Sequence, residues 1–276
     1  MGTFNWLKRR DSARSRVPAS ARICVACAVF ALMLALRAPA SPIPADLSFT
    51  QSTSTNWAGY AVTPPTSGAV SSVSGTWVVP SIAPSGGLIR GNVVFWVGMD
   101  GNDNNVVEQI GIASTATANT FSAWFELYPA ASQTIAMLVL SGDTMHAQVD
   151  YLGSDQFRLS LTDLTSGASF STIQTSPEAE PRSSGEWIAE IVGSRLGNFG
   201  SVTFSNASVA LDDGTTGAIS DFPYESIDLA PATGPGAIAG PLDATGTSFT
   251  ITVPEPAGIA ALGMLGIALF KRRSRA

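Results

Sequence analysis

Three short stretches of this 276-residue chain set carboxylates and a primary amide among aromatic side chains. In Phe95-Trp-Val-Gly-Met-Asp100, alternation turns Trp96, Gly98 and Asp100 to one face and Phe95, Val97 and Met99 to the other. Residues 101–105 (Gly-Asn-Asp-Asn-Asn) have turn chemistry. An extended pattern resumes over 106–112, with Gln109 on the face of Val107 and Gly111 and with Glu108 opposite. Over 123–129 the same rule groups Trp124, Glu126 and Tyr128, and over 185–190 it groups Glu186, Ile188 and Glu190, with Trp187 opposite. A carboxyl inside an otherwise apolar strand is desolvated, and its raised pKa suits a general base. A strand glutamate can equally face water on an outer sheet, so no single one of these residues decides the matter.

Other chemistries fail for want of residues. His146 is the only histidine, so neither a Ser-His-Asp triad nor a histidine-rich metal site can be built. Cys24 and Cys27, the only cysteines, both lie in an apolar run near the start, and their C-x-x-C spacing is read as part of that segment. No phosphate-binding glycine loop or dinucleotide fingerprint precedes a helix. No metal or cofactor is expected. Between residues 41 and 253 only Arg90, Arg158, Arg182 and Arg195 oppose nineteen acidic residues, a balance of about −15. That charge argues against nucleic acid as a partner. It also suits an acid-tolerant protein, because few cations remain to repel one another once the carboxylates are protonated.

The elements that must position these side chains read as strands. Short alternating or apolar runs recur at 56–62, 69–79, 93–99, 106–112, 120–128, 134–140, 144–151, 156–163, 169–175, 186–192, 200–204 and 248–253, punctuated by Gly, Ser, Thr, Asn and Asp. No amphipathic helix stands out. The pattern predicts an all-β chain, most simply an antiparallel β-sandwich. Residues 212–241, rich in Gly, Ala and Pro, are expected to be loop with little strand.

Both ends carry signals of another kind. Lys8, Arg9, Arg10, Arg14, Arg16 and Arg22 precede an apolar run at 23–36, and Ala38-Pro-Ala40 follows as a small-x-small cleavage signal. Residues 1–40 therefore read as a secretory signal for a signal peptidase. At the other end Val253-Pro-Glu-Pro256 leads into fourteen uncharged residues and then Lys271-Arg-Arg-Ser-Arg275. Fourteen helical residues span about 21 Å, short of a bilayer core of about 30 Å. The order Pro-Glu-Pro, apolar segment, arginine cluster resembles the PEP-CTERM sorting signal of Gram-negative bacteria. For residues 254–276 that resemblance implies transient membrane anchoring, processing by an exosortase, and delivery to the cell envelope or extracellular matrix. The folded domain is expected over 41–253.

Within that domain Ser54-Thr-Asn-Trp-Ala-Gly-Tyr60, Gly75-Thr-Trp-Val-Val-Pro80, Trp96-Val-Gly-Met-Asp-Gly101, Glu108-Gln-Ile-Gly111, Trp124-Phe-Glu-Leu-Tyr-Pro-Ala130, Gly185-Glu-Trp-Ile188 and Asn198-Phe-Gly-Ser-Val-Thr-Phe204 follow in order. The set resembles the eqolisins, the glutamic peptidases, over residues 48–207 and more loosely to 253. The resemblance implies a sandwich of two large antiparallel sheets of concanavalin A-like type, cutting unfolded or acid-loosened polypeptides. It places the catalytic pair on Gln109 and Glu186. Trp96, Asp100, Glu126 and Tyr128 fall where residues line or support the cleft, and Glu190 shares the face of Glu186. The chain departs from the family pattern in having no cysteine after residue 40, in Leu127 where an aromatic is common, and in Ser183-Ser184-Gly185 before the glutamate. Only about a dozen residues separate Ala40 from the first motif, too few for a long propeptide. Two other readings stand beside this one: a non-catalytic matrix sandwich binding polysaccharide or protein, and a glycosidase using Glu126 and Glu186.

Overall fold

The structure, a computed structural model, describes residues 48–65, 70–83, 91–114, 120–193 and 195–255. The expected signal at 1–40 lies outside them, as does nearly all of the segment 254–276.

The described residues form β1 (Phe49–Ser54), β2 (Trp57–Val62), β3 (Val70–Val78), β4 (Val94–Met99), β5 (Val107–Ser114), β6 (Thr120–Tyr128), β7 (Gln133–Leu140), β8 (Thr144–Gly153), β9 (Gln156–Asp163), β10 (Ser169–Thr175), β11 (Gly185–Glu190), β12 (Ser201–Leu211), β13 (Thr216–Gly217), β14 (Tyr224–Leu229), β15 (Ile238–Ala239) and β16 (Phe249–Thr252), with one 3₁₀ turn at Ile219–Asp221. The first sheet runs β1-β14-β2-β11-β4-β5-β6-β7. The second runs β10-β9-β8-β3-β12-β16-β15, with β13 beside β12. The all-β sandwich of two large sheets is as expected, with one refinement: β1 pairs with β14 in parallel, while the other neighbours are antiparallel.

Alternation is what makes two layers. From the first sheet Phe95, Val97, Met99, Ile110, Ile112 and Trp187 turn inward and meet Trp77, Met145, Phe157, Leu159, Leu161 and Phe204 of the second. The indole N–H of Trp187, buried in that core, donates to Ser74 O at 2.8 Å and ties the sheets together. Hairpin chemistry sets register locally. Ser154 and Asp155 both take positive φ (55° and 57°) in a two-residue β8–β9 turn, the backbone that matches strand twist.

The tract 212–241 departs from the expected loop, because β14 is a six-residue strand inserted between β1 and β2. Only Ser226, Ile227 and Leu229 of Tyr-Glu-Ser-Ile-Asp-Leu are buried, so the strand carries a weak apolar signal beside a Gly- and Pro-rich neighbourhood. The strand expected at 186–192 spans Gly185–Glu190, and that expected at 200–204 continues to Leu211.

Candidate active site

The outer face of the first sheet carries a second apolar cluster, Ala61, Val94, Trp96, Val107, Trp124, Ile188 and Ile227. Across it the register lines up one position per strand: Glu225 on β14, Ala61 on β2, Glu186 on β11, Gly98 on β4, Gln109 on β5 and Glu126 on β6. Directly paired residues point the same way. The structure therefore brings Glu186, Gln109 and Glu126 into one row although they are scattered through the sequence. Glu186 and Gln109 stand two strand spacings apart, about 10 Å between Cα atoms. Between them lie Gly98, which has no side chain, and the edge of the Trp96 ring that leans over it. A Cβ there would meet Trp96 Cζ3 at 2.8 Å and Glu108 O at 3.1 Å, so the glycine makes room for the leaning indole.

Glu186 is 0% exposed, and neither carboxyl oxygen has a hydrogen-bond partner among the described residues. Burial pushes its pKa well up, and the charges of Asp100 and Asp103 add to the shift. The nearby Ser184 hydroxyl opposes it, although its geometry falls short of a full hydrogen bond. Gln109, 6% exposed, donates from Nε2 to Glu126 Oε2 at 2.8 Å, and its Oε1 has no partner. Glu126 is raised by burial, with the Gln109 bond working against the rise. Three orphaned acceptor oxygens thus belong to two residues that flank one glycine. That arrangement calls for a donor between them.

The supporting residues take distinct parts. Trp96 is buried and donates from Nε1 to Glu190 Oε2 at 2.9 Å, while Asn56 Nδ2 holds Glu190 Oε1 at 3.2 Å. Burial raises Glu190 all the same. Trp57 meets Trp96 edge-on, with ring centroids 5.0 Å apart. Asp100 lines nothing: it is buried at positive φ (67°), and its carboxylate accepts from Arg182 N and Ser183 N, each at 2.8 Å. Gln109 opens on a cleft of about 680 Å³ whose walls include Trp57, Trp124, Tyr128, Glu126 and Glu190. Trp57 and Asn56 escaped the sequence reading as site residues, although both sit in the first quoted motif. His146 lies on the other sheet, bonded through Nδ1 to Thr76. Glu126 and Glu186 stand three strand spacings apart, about 14 Å between Cα atoms, with Gln109 between them in the row.

The sequence model of the peptidase A4 family matches residues 55–230, which contain this whole row. The chain belongs to the peptidase A4 family. It is a peptidase of glutamic type. Among solved structures this peptidase is similar in fold to scytalido-glutamic peptidase with a peptide-based transition state analog (22% identity, 72% of this chain and 98% of that one, TM-score 0.60). It is also similar to SCP-B, a member of the eqolisin family, in complex with the tripeptide Ala-Ile-His (20% identity, 72% and 98%, TM-score 0.58). A third is aspergilloglutamic peptidase from Aspergillus niger (24% identity, 59% and 99%, TM-score 0.51). No curated protein matches the chain.

Proposed function

We propose that the peptidase is an acid-acting endopeptidase in which Glu186 and Gln109 together activate one water. The observation that carries this reading is the set of orphaned oxygens, Gln109 Oε1 and both of Glu186, on either side of Gly98. A water held there donates one hydrogen to the amide oxygen and the other to the carboxylate. The water supplies the donor that the buried carboxyl lacks, which favours its ionised form, and ionised Glu186 removes the latter proton as the water oxygen attacks the scissile carbonyl carbon. One N–H of Gln109 is engaged by Glu126, and the second is left to donate to the developing oxyanion. Glu186 then passes its proton to the leaving amine, which completes the cut with the carboxylate regenerated. A neutral amide suits the second position because it stabilises the oxyanion without competing for the proton.

The cleft's aromatic walls and carboxyls favour an extended polypeptide lying over Gln109 and Glu126, the members of the row that line it. We infer export as well, and the order of basic, apolar and small residues at 1–40 and the Pro-Glu-Pro tail support it. Hydrolysis of acid-denatured haemoglobin between pH 2 and 6 tests the chemistry. Glu186→Gln is expected to cost roughly 100- to 10,000-fold in kcat. Gln109→Ala is expected to cost roughly 100- to 1,000-fold. Both should melt near the wild-type temperature. Full activity in Glu186→Gln would remove the assignment, and an inert wild type that retains glycan would favour a binding module.

A further inference from the structure

On the inner side of β5, behind Gln109, a second group of acids has no part in the chemistry above. Glu108 is 0% exposed, and its Oε2 has no hydrogen-bond donor. One oxygen each of Glu108, Asp100 and Glu180 lie within 4.8 Å of one another. Glu180 belongs to residues 176–184, the connection that leads from β10 into β11 and so to Glu186. Several contacts fasten this strap. Ser176 Oγ donates to Glu180 Oε1 and sits 3.4 Å from Glu108 Oε1. The backbone N–H groups of Arg182 and Ser183 both end on Asp100. Asp100 N in turn donates to Ser184 O at 3.1 Å.

Asp100 has four donors on its oxygens, counting Asn104 Nδ2 and Ser183 Oγ, and they work against the rise that burial causes. Glu108 and Glu180 have no such supply. The charges acting on Glu108 are those of Glu180, Asp100 and Glu186, and those acting on Glu180 are Asp100, Asp155 and Glu178. The nearest cation on the strap, Arg182, is spent elsewhere: its guanidinium donates two parallel hydrogen bonds to the Asp212 carboxylate and lies 4.0 Å over the Tyr151 ring. A buried carboxyl beside a half-buried one, without a cation, needs a proton between them.

We propose that Glu108 and Glu180 share a proton and so clasp the 176–184 strap against β5, making them positioning residues for Glu186 that hold in acid and let go toward neutrality. This rests on the assignment of Glu186 above. Burial is the first cause that raises both groups, followed for Glu108 by its bond to Glu180. The sign follows. The closed strap keeps protons that an opened strap would release above the ordinary carboxylate range. Each pH unit above that range favours the open form roughly tenfold per retained proton.

The test compares full-length wild type with Glu108→Gln, whose amide can donate to Glu180 and has no proton to lose. The variant is expected to melt near wild type at pH 4 and above it at pH 8. Trypsin should cut after Arg182 at pH 8 at least about tenfold more slowly in the variant. The alkaline limb of its hydrolysis profile should move up by about one pH unit while the acid limb stays. Glu180→Gln supplies the same readouts if the first variant does not fold. Melting and nicking need no hydrolysis, so an inert protein with altered nicking removes the peptidase assignment and keeps the strap. Melting and nicking that depend on pH as in wild type overturn the strap, and so does calcium that stabilises wild type at pH 8 but not the variant.

Discussion

Gln109 has two amide hydrogens and one carbonyl oxygen to place, and Glu126 decides how. Its carboxyl takes one hydrogen at 2.8 Å, which fixes the amide plane and leaves the other hydrogen and Oε1 for whatever lies over Gly98. Glu190 does the same for Trp96. These acids act on orientation, and their own protonation is raised by burial. Asp103 acts differently, through charge alone: exposed, it still pushes Glu186 upward. Removing that charge lowers the pKa of Glu186, so Asp103→Asn should shift the acid limb of kcat/KM to lower pH by a few tenths of a unit. The shift should shrink in high salt. A pH-rate profile at two ionic strengths reads it, and an unmoved limb at low salt would uncouple Asp103 from the base. At this scale the sequence was informative. Strict alternation placed Trp96, Gln109, Glu126 and Glu186 on the faces they occupy, because those strands have no bulge between the relevant residues.

Strands decide what those residues become. β11, late in the chain, lies between β2 and β4, and this insertion sets Glu186 across Gly98 from Gln109. Nothing local in the sequence announces it, since paired residues as far apart as Gly98 and Glu186 leave no periodic trace. β14 was hidden for a related reason: its polar residues are satisfied by pairing with β1 and β2, which the chain acquires only on folding. Alternation places Glu108 only on the face opposite Gln109, and its partner Glu180 lies in a connection with no pattern at all. The resemblance to a known family, carried by seven motifs, supplied the pairing of Gln109 with Glu186 that alternation could not. Gly98 tests how the strands share space. A methyl group at this position must displace the Trp96 ring or the Glu108 carbonyl. Gly98→Ala is therefore expected to lower stability by about 1 to 3 kcal/mol in urea titrations. It should lower kcat further than that loss explains, because Trp96 cannot move without releasing Glu190. Activity equal to wild type per folded molecule would contradict that coupling.

The whole molecule responds to acid through the same groups. Asp100, Glu108, Glu126, Glu180, Glu186 and Glu190 are all raised, with burial the first cause for each. A folded chain that keeps those protons is at full advantage below the ordinary carboxylate range. It loses that advantage as pH rises, by about 1.4 kcal/mol per pH unit for each retained proton. Asp163, Asp213 and Asp243 are shifted down and work in the opposite sense, but only at the acid end. The melting temperature is accordingly expected to be highest near pH 4 and to fall steadily to pH 8. Calorimetry across that range checks it, and a rise from pH 4 to 7 would reverse the sign argued here.

The late insertion of β11 also bears on when the molecule can act. Gln109 and its neighbours β4 to β6 can pair as successive hairpins early in folding, whereas Glu186 arrives only when a strand from far along the chain is threaded between two that precede it. Pairings of that range form slowly and late. On the assignment proposed here, a half-folded copy has an amide without its acid and cannot cut its unfolded siblings. Competence to hydrolyse and completion of the sheet then arrive in the same step.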